Sequence, residues 1–224
     1  MQTVSPLAWI GRIFLLLALG LAAFCITAGL GPDRDLTLLR VFPSDNSPEL
    51  LGKMLDSLHT WPAWHHDVEK VEVTDVTGEA ASIKDQFLGL GVPLRFTLEP
   101  KQQSWRKYTI ETKVIAYDPG HSVQLELVHD STGKMEKLFK NYQWRIEILP
   151  PESGKTGARV QGQAFATTRS WRGRVLGALA EKILMYQSYY PDLLQLVKLT
   201  PEVLDPKIPL PSKEAADLVG PNKR

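Results

Sequence analysis

A chain of 224 residues that is 43% hydrophobic and 23% charged has the makeup of a folded protein with one substantial core, and is neither disordered nor fibrous in bulk. Lys and Arg number 26 against 25 Asp and Glu, and Arg12 is the only charge before Asp33; the rest is balanced and lacks the basic excess of a nucleic-acid partner. One cysteine, Cys25, excludes an intrachain disulfide framework and a cysteine-based metal site.

No charge occurs from Ile13 to Gly31. At about 1.5 Å per residue this segment spans roughly 28 Å, close to the hydrocarbon thickness of a bilayer. Trp9 and Arg12 suit one interface, and Pro32-Asp33-Arg34-Asp35 gives a polar stop at the other. The expectation is a single-pass membrane anchor over residues 1–32, attached through residues 13–31. The competing reading is a cleaved secretory signal with Thr27-Ala28-Gly29 as its cleavage site, hence export. Phe24 before Cys25 is too bulky for a lipoprotein signal. Arg12 on one side and Arg34 and Arg40 on the other leave the orientation open.

Asp35 to Val41 reads as a first strand. Ser47-Pro48-Glu49 starts a helix that carries Leu50, Leu51, Met54, Leu55 and Leu58 at helical spacing. Thr60-Trp61-Pro62-Ala63-Trp64-His65-His66 follows as a turn or second short helix. The period then switches to two. Val71 and Val73 alternate with Glu72 and Thr74; Tyr108, Ile110, Thr112, Val114 and Ala116 with Thr109, Glu111 and Lys113. Val123, Leu125 and Leu127 oppose Gln124 and Glu126, and Tyr142, Trp144, Ile146 and Ile148 oppose Gln143, Arg145 and Glu147. Such alternation marks an antiparallel sheet with one wet face, its strands separated by Gly- and Pro-containing turns. The last strand, Ala158 to Thr168, has Val160, Gly162, Ala164 and Ala166 on its inner face, leaving room for a bulky element to cross. That element is a helix capped by Ser170 and running to about Leu199, with Val175, Leu179, Ile183, Tyr186, Tyr190, Leu193 and Val197 on one stripe and a kink at Pro191. Residues 201–224 carry five prolines and read as an extended, disordered tail.

This order of elements resembles the START-like helix-grip superfamily (SRPBCC, polyketide cyclase/dehydrase-like proteins). Trp61-Pro62-Ala63-Trp64 is similar to its tryptophan-rich segment, Gly154-Lys155-Thr156-Gly157-Ala158-Arg159-Val160 to its turn into the last strand, and Leu193 to Leu199 to the end of its grip helix. The resemblance covers about residues 35–200. It implies an α+β fold in which a curved antiparallel sheet of about six or seven strands wraps around the long C-terminal helix, with two short helices after the first strand; the domain would span residues 33–200. It also implies an apolar cavity between sheet and helix that takes lipids, isoprenoids or polyketide-like molecules.

Trp61, Trp64, Phe87, Phe96, Trp144, Tyr186 and Tyr190 are the residues to line such a cavity, with indole and hydroxyl groups as orienting donors, or else ordinary core. Thr112 adds an inward hydroxyl. Asp85 shares one phase with Ala81, Ile83 and Phe87, which puts a carboxylate on the apolar face unless a bulge lets it reach solvent or a cation. His65 suits the cavity mouth. His59, His65 and His66 lack the spacing of a metal site, and no cofactor is implied. Arg159, Arg169, Arg172 and Arg174 cluster in sequence around the start of the grip helix and suit either anionic headgroups or a solvated helix end. The function expected is a membrane-anchored binder of a hydrophobic small molecule or lipid, with no nucleic acid. The alternatives are a cyclase- or dehydratase-type enzyme using Asp85 or His65, and a tethered adaptor without a ligand.

Overall fold

The structure, a computed structural model, describes residues 6–65, 67–74, 88–99, 107–180 and 192–204. Helix α1 (Pro6–Leu30) opens the chain, its side chains exposed from Trp9 through Phe24 and buried only at Ala28 and Gly29. Its length and composition fit a membrane span or a signal sequence. Strand β1 (Asp35–Ser44) follows, then α2 (Pro48–Asp56). Helix α2 begins as its sequence dictates: Leu50 N–H donates to Ser47 Oγ at 3.2 Å, and Pro48 takes the first position, where no backbone donor is needed. Its Leu51, Met54 and Leu55 have no exposed surface. A 3₁₀ turn at Leu58–Thr60 leads into α3 (Trp61–Trp64), so the tryptophan-rich segment is a second short helix.

The strands β2 (Val68–Val73), β3 (Pro93–Leu98), β4 (Tyr108–Asp118), β5 (Ser122–Asp130), β6 (Phe139–Leu149) and β7 (Ala158–Thr168) join β1 in one antiparallel sheet ordered β1-β7-β6-β5-β4-β3-β2. The alternating apolar faces turn inward, including Leu94, Phe96, Val114, Leu125, Ile146 and Val160, and pack with α2 and α3 into one core. The first strand pairs with the last from Asp35↔Thr167 to Ser44↔Ala158.

Bulges break the simple alternation in β2, β4, β5 and β6. Ile115 is the extra residue between the pairs Val114↔Leu125 and Ala116↔Gln124, so the phase flips. Ala116, expected inside, is exposed, and Tyr117 turns toward the core in its place. Val128 is the extra residue in β5, and β6 bulges between Lys140 and Gln143, where Asn141 takes φ 55°. Helix α4 (Lys134–Leu138) is an element that strand periodicity does not announce. The buried Asp130 carboxylate builds it, accepting from the backbone N–H groups of Thr132 (2.8 Å), Lys134 (3.0 Å) and Met135 (3.0 Å), while Glu136 reaches back to the N–H of Asp130.

Helix α5 (Trp171–Ala180) starts where Gly173 N–H donates to Ser170 Oγ at 3.1 Å. It descends onto the sheet at Gly177, where a Cβ would lie 2.9 Å from Thr168 Cγ2 and 3.2 Å from Leu36 Cδ1. Such close approach is possible because Gly162, Ala164 and Ala166 keep the inner face of β7 low. Residues 192–196 are again helical, with Leu193 and Leu196 fully buried. Ser44 Oγ donates to the Val197 carbonyl and Asn46 Nδ2 to that of Leu199, both at 2.8 Å, which fastens this end to the far edge of the sheet. A 3₁₀ turn at Pro201–Leu204 packs Leu204 against the core, one turn past the expected boundary at residue 200. The expected kink at Pro191 lies outside the described residues.

Candidate functional site

The inner face carries a continuous run of rings. Trp61 and Trp64 meet at 5.3 Å between centroids, Trp61 and Phe96 at 5.7 Å, Phe96 and Trp144 at 6.1 Å, Trp144 and Tyr142 at 5.8 Å, and Tyr142 and Phe139 at 6.1 Å. These spacings are those of favourable tilted and edge contacts. The run begins on α3, crosses to β3 and then travels along β6 to the edge where Phe139 pairs with Thr168. Trp61, Trp64 and Phe96 are buried, whereas Trp144, Tyr142 and Phe139 are only half-buried. Burial also raises the pKa of the Tyr142 phenol, so it stays a neutral donor across the ordinary pH range.

The two tryptophans of α3 differ in one respect. Trp61 Nε1 donates to the Leu55 carbonyl at 2.9 Å, and Thr60 Oγ to that of Met54 at 2.7 Å, which ties α3 to the end of α2. Trp64 Nε1 is equally buried and has no acceptor among the described residues. An unanswered indole N–H in a protein interior costs about 1–3 kcal/mol, so its retention needs an explanation. Beside it, the His65 ring lies 5.7 Å from Trp64 and 6.2 Å from Phe96, with Nδ1 3.3 Å from a carboxylate oxygen of the buried Asp192. One end of the aromatic run is therefore polar and the remainder apolar.

Of the residues expected to line a site, the structure brings together Trp61, Trp64, His65, Phe96 and Trp144. Thr112 is on the same inner face but buried, its hydroxyl directed to the Leu94 carbonyl at 3.5 Å. Asp85, Phe87, Tyr186 and Tyr190 lie outside the described residues. Sequence reasoning passed over Tyr142 and Phe139; Tyr142 was visible in the alternation of β6, while Phe139 joins the run because of the bulge at Asn141. Asp192 carries no local signal, since its partner His65 is more than half the chain away. Among the described residues no three His, Cys, Asp or Glu side chains gather as a metal site would require. A shallow pocket of about 290 Å³ on the opposite face, bordered by Asp35, Thr37, Gln124, Asn141, Gln143 and Phe165, is separate from the aromatic run.

The arginine cluster of the sequence divides. Arg159 donates to the Pro150 carbonyl at the start of β7, about 30 Å of strand away from Arg169. Arg174 is engaged by Gly29 and Asp33, and Arg169 and Arg172 remain exposed.

No protein-family model and no curated protein matches the chain. Its fold is shared with solved structures. Ginseng major latex-like protein 151 from Panax ginseng aligns at a TM-score of 0.51 and 11% identity over 73% of this chain and 93% of its own. Norcoclaurine synthase from Thalictrum flavum, in complex with dopamine and hydroxybenzaldehyde, aligns at 0.51 and 14% over 76% and 88%. Ara h 8.0201 aligns at 0.50 and 14% over 76% and 99%. The architecture is thus α+β helix-grip, a seven-stranded antiparallel sheet with helices on its inner face, preceded here by an apolar N-terminal helix.

Proposed function

We propose that this protein is a membrane-anchored carrier or receptor that holds a hydrophobic small molecule against the aromatic run on the inner face of its sheet. The observation that carries the reading is that run itself: five ring contacts in series, buried at α3 and half-open along β6, ending at a buried indole N–H without an acceptor among the described residues. Flat apolar surface with one or two fixed donors is how small-molecule sites gain affinity from area and orientation from polar groups. The ligand class that fits is an isoprenoid, acyl or aromatic molecule with a carbonyl or hydroxyl oxygen at one end, the oxygen answering Trp64. An anchor suits such a function, because a tethered site meets bilayer-dissolved ligands at high effective concentration.

Titration with a naphthyl ketone fluorophore and its hydrocarbon analogue tests the reading. Both are expected to bind and to accept energy transfer from the tryptophans of the run. Trp64→Phe is expected to weaken the ketone alone, by roughly fivefold to tenfold, the worth of one net hydrogen bond. Failure of both probes to bind refutes the reading.

A second reading, a proton-transferring enzyme, is favoured by the His65–Asp192 contact at 3.3 Å, since a carboxylate can orient an imidazole for general acid–base work. On that reading His65→Gln keeps ligand binding and stops conversion of the bound molecule; unchanged conversion removes His65 from the chemistry.

A further inference from the structure

Helix α1 does not leave the domain as a free stalk. Arg174 Nε on α5 donates to the Gly29 carbonyl at 2.7 Å, and its Nη1 lies 3.1 Å from Asp33 Oδ1, while Lys140 Nζ takes the other Asp33 oxygen at 3.0 Å. The Trp171 indole fills the space where a Cβ on Gly29 would stand. The last turn of α1 and the first turn of α5 are therefore one packed unit, and four residues, 31–34, connect α1 to the near edge of the sheet, a reach of at most about 14 Å.

This junction fixes which end of the domain faces a bilayer if α1 crosses one. The 22 residues from Trp9 to Leu30 rise about 33 Å, slightly more than a hydrocarbon core of about 30 Å, so Gly29 and Leu30 emerge at the headgroup boundary. Trp171, packed on Gly29 and 45% exposed, stands at that same level, as interfacial tryptophans do. Around it Arg34, Arg169 and Arg172 are exposed, and none has a carboxylate partner among the described residues. The acids at this end are already engaged: Asp33 by Lys140 and Arg174, Asp35 by the Thr167 hydroxyl, Glu136 by His129 and the Asp130 N–H.

We infer that the end of the domain formed by the start of α5, helix α4 and the α1–β1 junction is a docking surface for an anionic bilayer, with Trp171 seated in the interface and Arg34, Arg169 and Arg172 binding lipid phosphates. The inference rests on α1 being a membrane span. It places Phe139, the near end of the aromatic run, at the edge that meets the lipid, so that an apolar ligand enters from the acyl layer with little exposure to water.

The test uses the full chain in nanodiscs of phosphatidylcholine with or without one quarter phosphatidylglycerol, in a Cys25→Ser background with a spin label at Lys137→Cys on α4 or at Ser153→Cys in the far β6–β7 turn. In anionic discs the label at 137 is expected to be accessible to oxygen and shielded from a water-soluble nickel chelate, with the label at 153 fully aqueous. Arg169→Gln with Arg172→Gln is expected to shift the docked fraction toward undocked by up to about 30-fold, about fivefold per cation. Discs of phosphatidylcholine alone are expected to show a similar loss. A chain that enters the discs with 137 as aqueous as 153 overturns the docking surface and leaves the anchor intact. Shielding of 137 that ignores lipid charge and both arginines overturns the headgroup recognition, and a chain that never enters the discs overturns the anchor and the surface together.

Discussion

Trp61 and Trp64 share a helix, a ring contact and near-complete burial, yet among the described residues Trp61 finds an acceptor for its indole and Trp64 does not. Replacing each by phenylalanine separates structure from function. Trp61→Phe strands the Leu55 carbonyl and is expected to cost about 1–3 kcal/mol in urea unfolding. Trp64→Phe deletes an unsatisfied donor and is expected to cost at least 1 kcal/mol less than its neighbour; equal losses would show that Trp64 has a hidden structural partner. Tyr117 is a second residue with a measurable signature. Burial, then the charge and hydrogen bond of Asp56, push its phenol up to about 12. The unfolded chain ionises near 10 and the folded one does not, so Tyr117 favours the folded state below pH 10, and that contribution fades as pH rises from 10 to 12. In a titration at 295 nm, Asp56→Asn is expected to lower this pKa only in part, because burial is the larger cause; a full return to 10 would make Asp56 the dominant one.

At the scale of elements, the side chains of Ser44 and Asn46 hold the carbonyls of Val197 and Leu199 to the end of β1. Asn46→Ala removes the donor to the Leu199 carbonyl, and is expected to cost about 1–2 kcal/mol and to speed hydrogen exchange selectively over residues 192–199. Exchange that rises uniformly would mean that this end opens only with the whole domain. At the other end, Gly29→Val sets a branched side chain where the Trp171 indole sits. It is expected to part α1 from α5 while sparing the sheet, seen as increased solvent access at Trp171 with an unchanged unfolding midpoint. Much of this layout was legible in the residues. Ser47-Pro48 announced α2, Ser170 announced α5, and strict alternation announced the inner face of β6 and β7. What escaped depended on geometry that no local window contains: the extra residue Ile115 that exposes Ala116, the Asp130 side chain that builds α4, and the pairing of β1 with β7 at opposite ends of the domain. The aromatic members of the candidate site were legible because they occupy inward phases. Asp192 was not, because only the return of the chain brings it to His65.

For the whole molecule, the inner face of the sheet, the two short helices and residues 192–196 border an aromatic run that is apolar along β6 and polar at His65, Asp192 and Trp64. The junction of α1 with α5 gives that run a fixed relation to the N-terminal helix. Shared architecture with an enzyme and with latex-like proteins does not choose between holding a ligand and converting it, since function resides in the site and not in the fold. The central claim is that a hydrophobic molecule occupies the aromatic run. Native mass spectrometry of the full chain released from nanodiscs, followed by extraction of whatever remains bound, measures this most directly. A single class of apolar molecule at one per chain, lost in Trp144→Ala, is the expected result. A folded chain that carries nothing beyond its disc lipids, and takes up nothing when offered a total lipid extract, would contradict it.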